Sequence, residues 1–157
     1  MRIIVISHSH GRRNGLEYLL KRETYDRVIF LGDYVADFES LPIKYKFPPI
    51  VVKGRYDKYH TKPEFVRTKI GGHTFHILNG YQYFDPLKEM IDYTKGRDID
   101  IVVYSGTATE NVKRIGKVLY INPGFYGEEH NGTRTYAIIT IDDNNVQVEI
   151  LEQPYDF

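Results

Sequence analysis

Residues 2–11 read RIIVISHSHG. Ile3 to Ile6 form a continuous β-branched run, the pattern of a strand buried on both faces. The run stops at Ser7-His8-Ser9-His10-Gly11, so two imidazoles one residue apart follow the end of the strand. Strands buried on both sides belong inside α/β sheets, where sites are built at the carboxyl ends of parallel strands. The segment therefore predicts a fold class and the place to look for chemistry.

The flanking sequence extends this pattern. NGLEYLLKRE (14–23) sets Leu16, Leu19 and Leu20 at helical spacing. DRVIFLGD (26–33) and PPIVVKGRYD (48–57) predict two more strands, ending at Gly32-Asp33 and Gly54. A strand–helix–strand opening implies parallel pairing through a right-handed crossover. FVRTKIGGHTFHILNG (65–80) predicts a hairpin around Gly71-Gly72, and DPLKEMIDYTK (85–95) a helix capped by Asp85 with Pro86 in its first turn. DIDIVVYSG (98–106) and KVLYINPG (117–124) predict further strands. TRTYAIITI (133–141) and NVQVEILE (145–152) alternate around a turn-rich Asp142 to Asn145, an antiparallel hairpin.

The bulk composition narrows the function classes. The 157 residues are one domain's worth, expected to span 1–157, and bury roughly 70% of the unfolded surface without a staple. Lys and Arg number 21, as do Asp and Glu, so no global field draws the chain to nucleic acid or an anionic membrane. With no cysteine, any metal needs imidazole, carboxylate, amide or backbone oxygen donors. No apolar run reaches the roughly 20 residues of a membrane span, and MRIIVIS is too short for a signal peptide, so a cytoplasmic location is expected.

Polar residues cluster at six predicted strand ends: His8 and His10; Asp33; Arg55 and Asp57; Asn79; Ser105 to Thr109; and Asn122. Such recurrence predicts one shared site. His73 and His76 are three apart in a predicted strand, hence on opposite faces and unable to chelate together. His60 and His130 fall in predicted loops and receive no role.

These blocks, in this order, resemble the calcineurin-like metallophosphoesterases of the small single-domain phosphodiesterase branch. That family runs D-x-H, G-D, G-N-x-D, H-G, G-H-x-H and N-P-G-S. SHSHG resembles the first block, with His8 at the Asp position and His10 retained. LGDYV retains Asp33. KGRYD retains Asp57 and has Arg55 at the Asn position. LNGYQY has Asn79 at the His position. YSGTAT has Gly106 and Ala108 at the two His positions, and INPGF has Phe125 for Ser. The resemblance implies an α/β four-layer αββα sandwich of two mixed sheets with helices outside.

It also implies two divalent metals about 3.5–4 Å apart. The first metal's ligand positions are those of His8, His10, Asp33 and Ala108; the second's are Asp33, Arg55, Asn79 and Gly106. Arg55 has no lone pair, Gly106 no side chain, and Asn79 offers only a weak neutral oxygen. A two-metal centre is therefore not expected. At most one ion of zinc, manganese or iron is expected, on His8, His10 and Asp33. The Arg55 guanidinium is expected to bond Asp33.

The resulting reading is a catalytically weak or inactive binding or scaffold protein. Its anion pocket is expected to use Arg55, Asn79 and His10, with Thr107 and Thr109 adding hydroxyls. Tyr34, Phe38, Tyr56, Tyr81 and Tyr83 are expected in the loops beside it, as a partner surface or as loop packing. The partner is expected to be a small phosphate-containing ligand or a protein, as in the retromer subunit of this family, with no membrane and no nucleic acid. The alternative is a single-metal phosphoesterase acting on a phosphodiester or phosphomonoester. In it Arg55 replaces the second metal, and Arg55 and Asn79 are the catalytic candidates.

Overall fold

A computed structural model describes residues 1–59, 61–127 and 134–153. The elements run β1 (Arg2–Ile6), α1 (Arg13–Arg22), β2 (Arg27–Phe30), α2 (Val35–Glu39), β3 (Ile50–Val51), β4 (Phe65–Ile70) and β5 (His73–Leu78). There follow α3 (Pro86–Thr94), β6 (Ile101–Val103), β7 (Asn111–Ile115), β8 (Val118–Asn122), β9 (Thr135–Asp142) and β10 (Asn145–Glu152).

The strands form two five-stranded sheets, ordered β10-β9-β1-β2-β3 and β4-β5-β6-β8-β7. β1, β2 and β3 are mutually parallel, as are β5, β6 and β8. The C-terminal hairpin completes the first sheet, because β9 runs antiparallel to β1.

Alternation along the strands builds the layers. Ile3 and Val5 of β1 pack between the sheets with Ile29, Phe75, Ile77, Val103 and Ile121. Ile4 and Ile6 point the other way, into Leu16, Leu19 and Leu20 of α1 and Val35 and Phe38 of α2. On the far side, Leu78, Val102 and Tyr120 pack under Met90 of α3. Helices thus cover the outer face of each sheet, giving the αββα order. Each fully buried Ile or Phe contributes about 1.5–3 kcal/mol over exposure.

Local chemistry sets the ends. The Asp85 carboxylate accepts from the Lys88 N–H at 3.2 Å, and Pro86 opens α3. Gly71 and Gly72 both adopt positive φ (57° and 84°), the geometry of a two-residue hairpin turn. No helix among the described residues is long and apolar enough to cross a membrane.

Candidate functional site

Three parallel strands of each sheet deliver their carboxyl ends to one cavity of about 290 Å³. From the first sheet come His8 and His10 after β1, Asp33 and Tyr34 after β2, and Arg55 and Tyr56 after β3. From the second come Asn79 and Tyr81 after β5, Gly106 after β6 and Phe125 after β8. A larger open groove, about 510 Å³, lies at the opposite strand ends, between the loop after α3 and the β7–β8 turn, and contains none of these residues.

The cavity's backbone is held in uncommon geometry. His8, His10 and Tyr34 all adopt left-handed φ, at 58°, 51° and 70°. Among the described residues the remaining non-glycine case is Asp143, in the β9–β10 turn. Each such residue costs roughly 1–2 kcal/mol, so the surroundings must impose it. The His8 N–H donates to Gly32 O at 2.6 Å, and His8 O accepts from the Gly127 N–H at 2.7 Å. The Asp37 carboxylate accepts from the Ser9 hydroxyl and the Gly11 N–H. Asp57, buried, accepts from the N–H groups of Tyr34, Val35 and Gly54, each at 3.0 Å. Its carboxylate thereby ties the loop after β2 to the loop after β3.

Aromatic rings form one wall. His8 stacks on Phe125 (ring centroids 4.4 Å apart) and on His10 (5.4 Å), and Tyr34 meets both histidines edge-on. His8 Nδ1 lies 3.3 Å from Asp33 Oδ2, and Asp33 Oδ1 accepts from the Tyr56 N–H at 2.8 Å. Asn79 Nδ2 donates to Leu31 O at 2.7 Å, and its Oδ1 accepts from the Tyr81 N–H. The second amide hydrogen of Asn79 has no hydrogen-bond acceptor among the described residues. Gly54 makes room for this floor: a Cβ there would sit 2.1 Å from Asp33 Oδ1 and 2.8 Å from Asn79 Nδ2.

The expected Arg55–Asp33 bond is corrected. Asp33 is served by His8 and the Tyr56 amide, whereas Arg55, exposed at the mouth, makes no hydrogen bond or ion pair to a described residue. The reason is local: Arg55 occupies the turn after Gly54, and the backbone of that turn, not the guanidinium, reaches the carboxylate.

The donors present do not fit the family's two metals. Arg55 is cationic, Gly106 carries no donor, and the Asn79 carbonyl oxygen is already taken by a backbone N–H. The His8 and His10 rings stack, with centroids 5.4 Å apart and a tilt of 26°. Among the described residues no group of three His, Asp or Glu is placed to hold an ion; His8, His10 and Asp33 line the same cavity.

Other strand-end residues take structural work. Ser105 bonds Ser7 across the sheets, and Asn122 donates to Thr107 and accepts from the Gly124 N–H. Thr107 and Thr109 face a separate groove beside Asp85 and Tyr104, not the cavity, and Ala108 does not line it either. Phe38 is a core residue stacked on Phe30, and Tyr83 packs under α3, and neither lines this cavity. His73 and His76 point to opposite faces: His73 Nε2 lies near Asp143 O, while His76 is buried between Phe65 and Tyr93. His60 and His130 lie outside the described residues. Phe125, to which the sequence gives no role, supplies the ring on which His8 stacks.

Solved structures share this architecture. A Streptococcus pneumoniae protein described as a predicted phosphoesterase is 26% identical, with a TM-score of 0.74 over 99% of this chain and 91% of that one. An archaeal phosphodiesterase superposes with a TM-score of 0.73 at 21% identity, covering 96% and 100%. A single mutant of Entamoeba histolytica Vps29 gives 0.75 at 19% identity, covering 97% and 99%. No curated protein sequence matches the chain significantly. Residues 1–144 match the calcineurin-like phosphoesterase superfamily domain, and with the two packed sheets and the cavity at their strand ends, the chain belongs to the calcineurin-like phosphoesterase superfamily.

Proposed function

We propose that this chain is a binding protein on a phosphoesterase fold, whose cavity takes a phosphate-bearing anion and hydrolyses it weakly or not at all. The carrying observation is Arg55: a guanidinium where the family resemblance places a metal ligand, lining the cavity with no carboxylate partner among the described residues. It presents a fork suited to phosphate oxygens, and Asn79 and His10 add donors beside it. An arginine does not lower the pKa of a bound water as a metal does, so it binds the anion without making the nucleophile. The same fold serves an archaeal phosphodiesterase and Vps29, so loss of hydrolysis leaves a usable scaffold, and a protein partner remains part of this reading.

Calorimetric titration with inorganic phosphate, beside a turnover assay on a generic phosphodiester with manganese, nickel or zinc, tests it. We expect phosphate binding that is lost in Arg55→Ala, with negligible turnover in the parent. One contact favours the single-ion phosphoesterase instead: the 3.3 Å approach of His8 Nδ1 to Asp33 Oδ2 leaves two of its three donors adjacent. Robust metal-dependent turnover abolished by His10→Ala would establish that reading in place of ours.

A further inference from the structure

We infer that the anion is a mononucleotide, its phosphate on Arg55 and its base stacked on Tyr56 at the cavity mouth. This rests on the phosphate reading of Arg55 and adds the identity of the group attached to the phosphate. The segment Arg55-Tyr56-Asp57-Lys58-Tyr59 alternates cations and rings, with Asp57 turned inward to hold the backbone. Tyr56 is 64% exposed and Tyr59 92%, and the Lys58 ammonium lies 5.3 Å from the Tyr59 ring centroid. Lone exposed aromatics are ordinary. Two in one turn, interleaved with cations and adjoining a cavity, form the composition that stacks bases while holding phosphate.

The geometry fits the two ends of such a ligand. The Tyr56 amide is pinned to Asp33 Oδ1, which fixes its backbone at the rim, and the residue is 64% exposed. It leans toward Tyr34, centroids 6.2 Å apart, and through Tyr34 joins the wall of His8, His10 and Phe125. A sugar phosphate would meet mostly rings where it needs hydrogen-bond partners. A planar base meets the surface it prefers. Of the two Asp33 oxygens beside the phosphate, Oδ1 accepts from the Tyr56 amide and Oδ2 lies 3.3 Å from His8 Nδ1.

The test is calorimetric titration with AMP, ribose 5-phosphate and inorganic phosphate. It uses the parent, Arg55→Ala, Tyr56→Phe and Tyr56→Leu. We expect AMP to bind about tenfold or more tighter than ribose 5-phosphate. Tyr56→Phe should keep that ratio and Tyr56→Leu should bring it near one, while inorganic phosphate binding stays as in the parent. Equal binding of AMP and ribose 5-phosphate to the parent would overturn the nucleotide assignment and leave the phosphate reading standing. A ratio preserved in Tyr56→Leu would overturn the role of Tyr56. If none of the three binds, both readings fall.

Discussion

The hydroxyls of Ser7 and Ser105, one from each sheet and both fully buried, lie 2.6 Å apart directly behind the cavity. Ser7 Oγ also lies 3.3 Å from Gly32 O. A hydroxyl has one proton, so if Ser7 gives its proton to Gly32 O, Ser105 gives its own to Ser7. Ser7→Ala then strands a buried donor, whereas Ser105→Ala strands only a lone pair. We expect Ser7→Ala to cost about 1–3 kcal/mol and Ser105→Ala less. The double variant, in which the stranded donor is itself removed, should cost less than Ser7→Ala alone. Urea unfolding of the three variants measures this, and equal, additive losses would contradict the assigned direction.

Asp57 is retained from the family pattern but does its work away from any ligand. Its Oδ1 takes two N–H groups and its Oδ2 one. In Asp57→Asn the amide nitrogen must replace one oxygen and face an N–H. The variant should lose roughly 2–3 kcal/mol of stability, as expected for a buried charge-assisted network. It should also bind inorganic phosphate more weakly, because the loops carrying Tyr34 and Arg55 lose their tie. Unfolding midpoints paired with titration separate this from a ligand contact, which would weaken binding at unchanged stability.

What the sequence revealed follows the physics of each element. β1 and β2 are buried on both faces, so their apolar runs are continuous, and the polar residues after them stand out. β7 went unread because it is an edge strand whose residues are mostly exposed, with no apolar alternation to betray it. α2 has five residues, too few for a period, and β3 shrinks to Ile50–Val51 between Pro49 and Gly54. The shared cavity was legible from strand ends alone. The His8–Phe125 stack and the missing Arg55–Asp33 bond were not, because they depend on ring orientation and on which part of a turn reaches inward.

Gly106, at a position where the family resemblance places a metal-ligating histidine, sits in a loop with no room for a side chain. Its φ is +86°, and a Cβ there would lie 2.8 Å from Gly80 O, 2.9 Å from Gly80 C and 3.1 Å from Pro86 Cγ. Backbone atoms do not move aside cheaply, so any side chain strains the loop. Gly106→Ala should cost at least 1 kcal/mol from the left-handed φ, and more from the contact. Gly106→His should be still less stable and gain no tightly bound zinc by elemental analysis after metal loading and desalting. Stoichiometric zinc in that variant would show that the second ligand position is merely vacant and open to repair.

His76 sits 3% exposed between Phe65 and Tyr93, with ring centroids at 5.3 and 4.8 Å. Burial, with the nearby cations of Arg67 and Arg97, pushes its pKa down to about 4. In the unfolded chain it takes a proton near pH 6.5. Above that pH both states are neutral and the residue has no pH effect. Between about 6.5 and 4 the unfolded chain binds the extra proton, so stability falls as pH falls, by on the order of 1.4 kcal/mol for each unit crossed. Below 4 both states are protonated and the loss stops growing. Since Nδ1 is buried without a hydrogen-bond partner among the described residues, His76→Phe keeps the stacked ring and gives up no such bond at that atom. Urea midpoints at pH 7 and pH 5 should therefore differ for the parent and converge in His76→Phe. If the variant loses as much stability between those pH values as the parent, the acid sensitivity belongs to other groups and the buried imidazole is not its source.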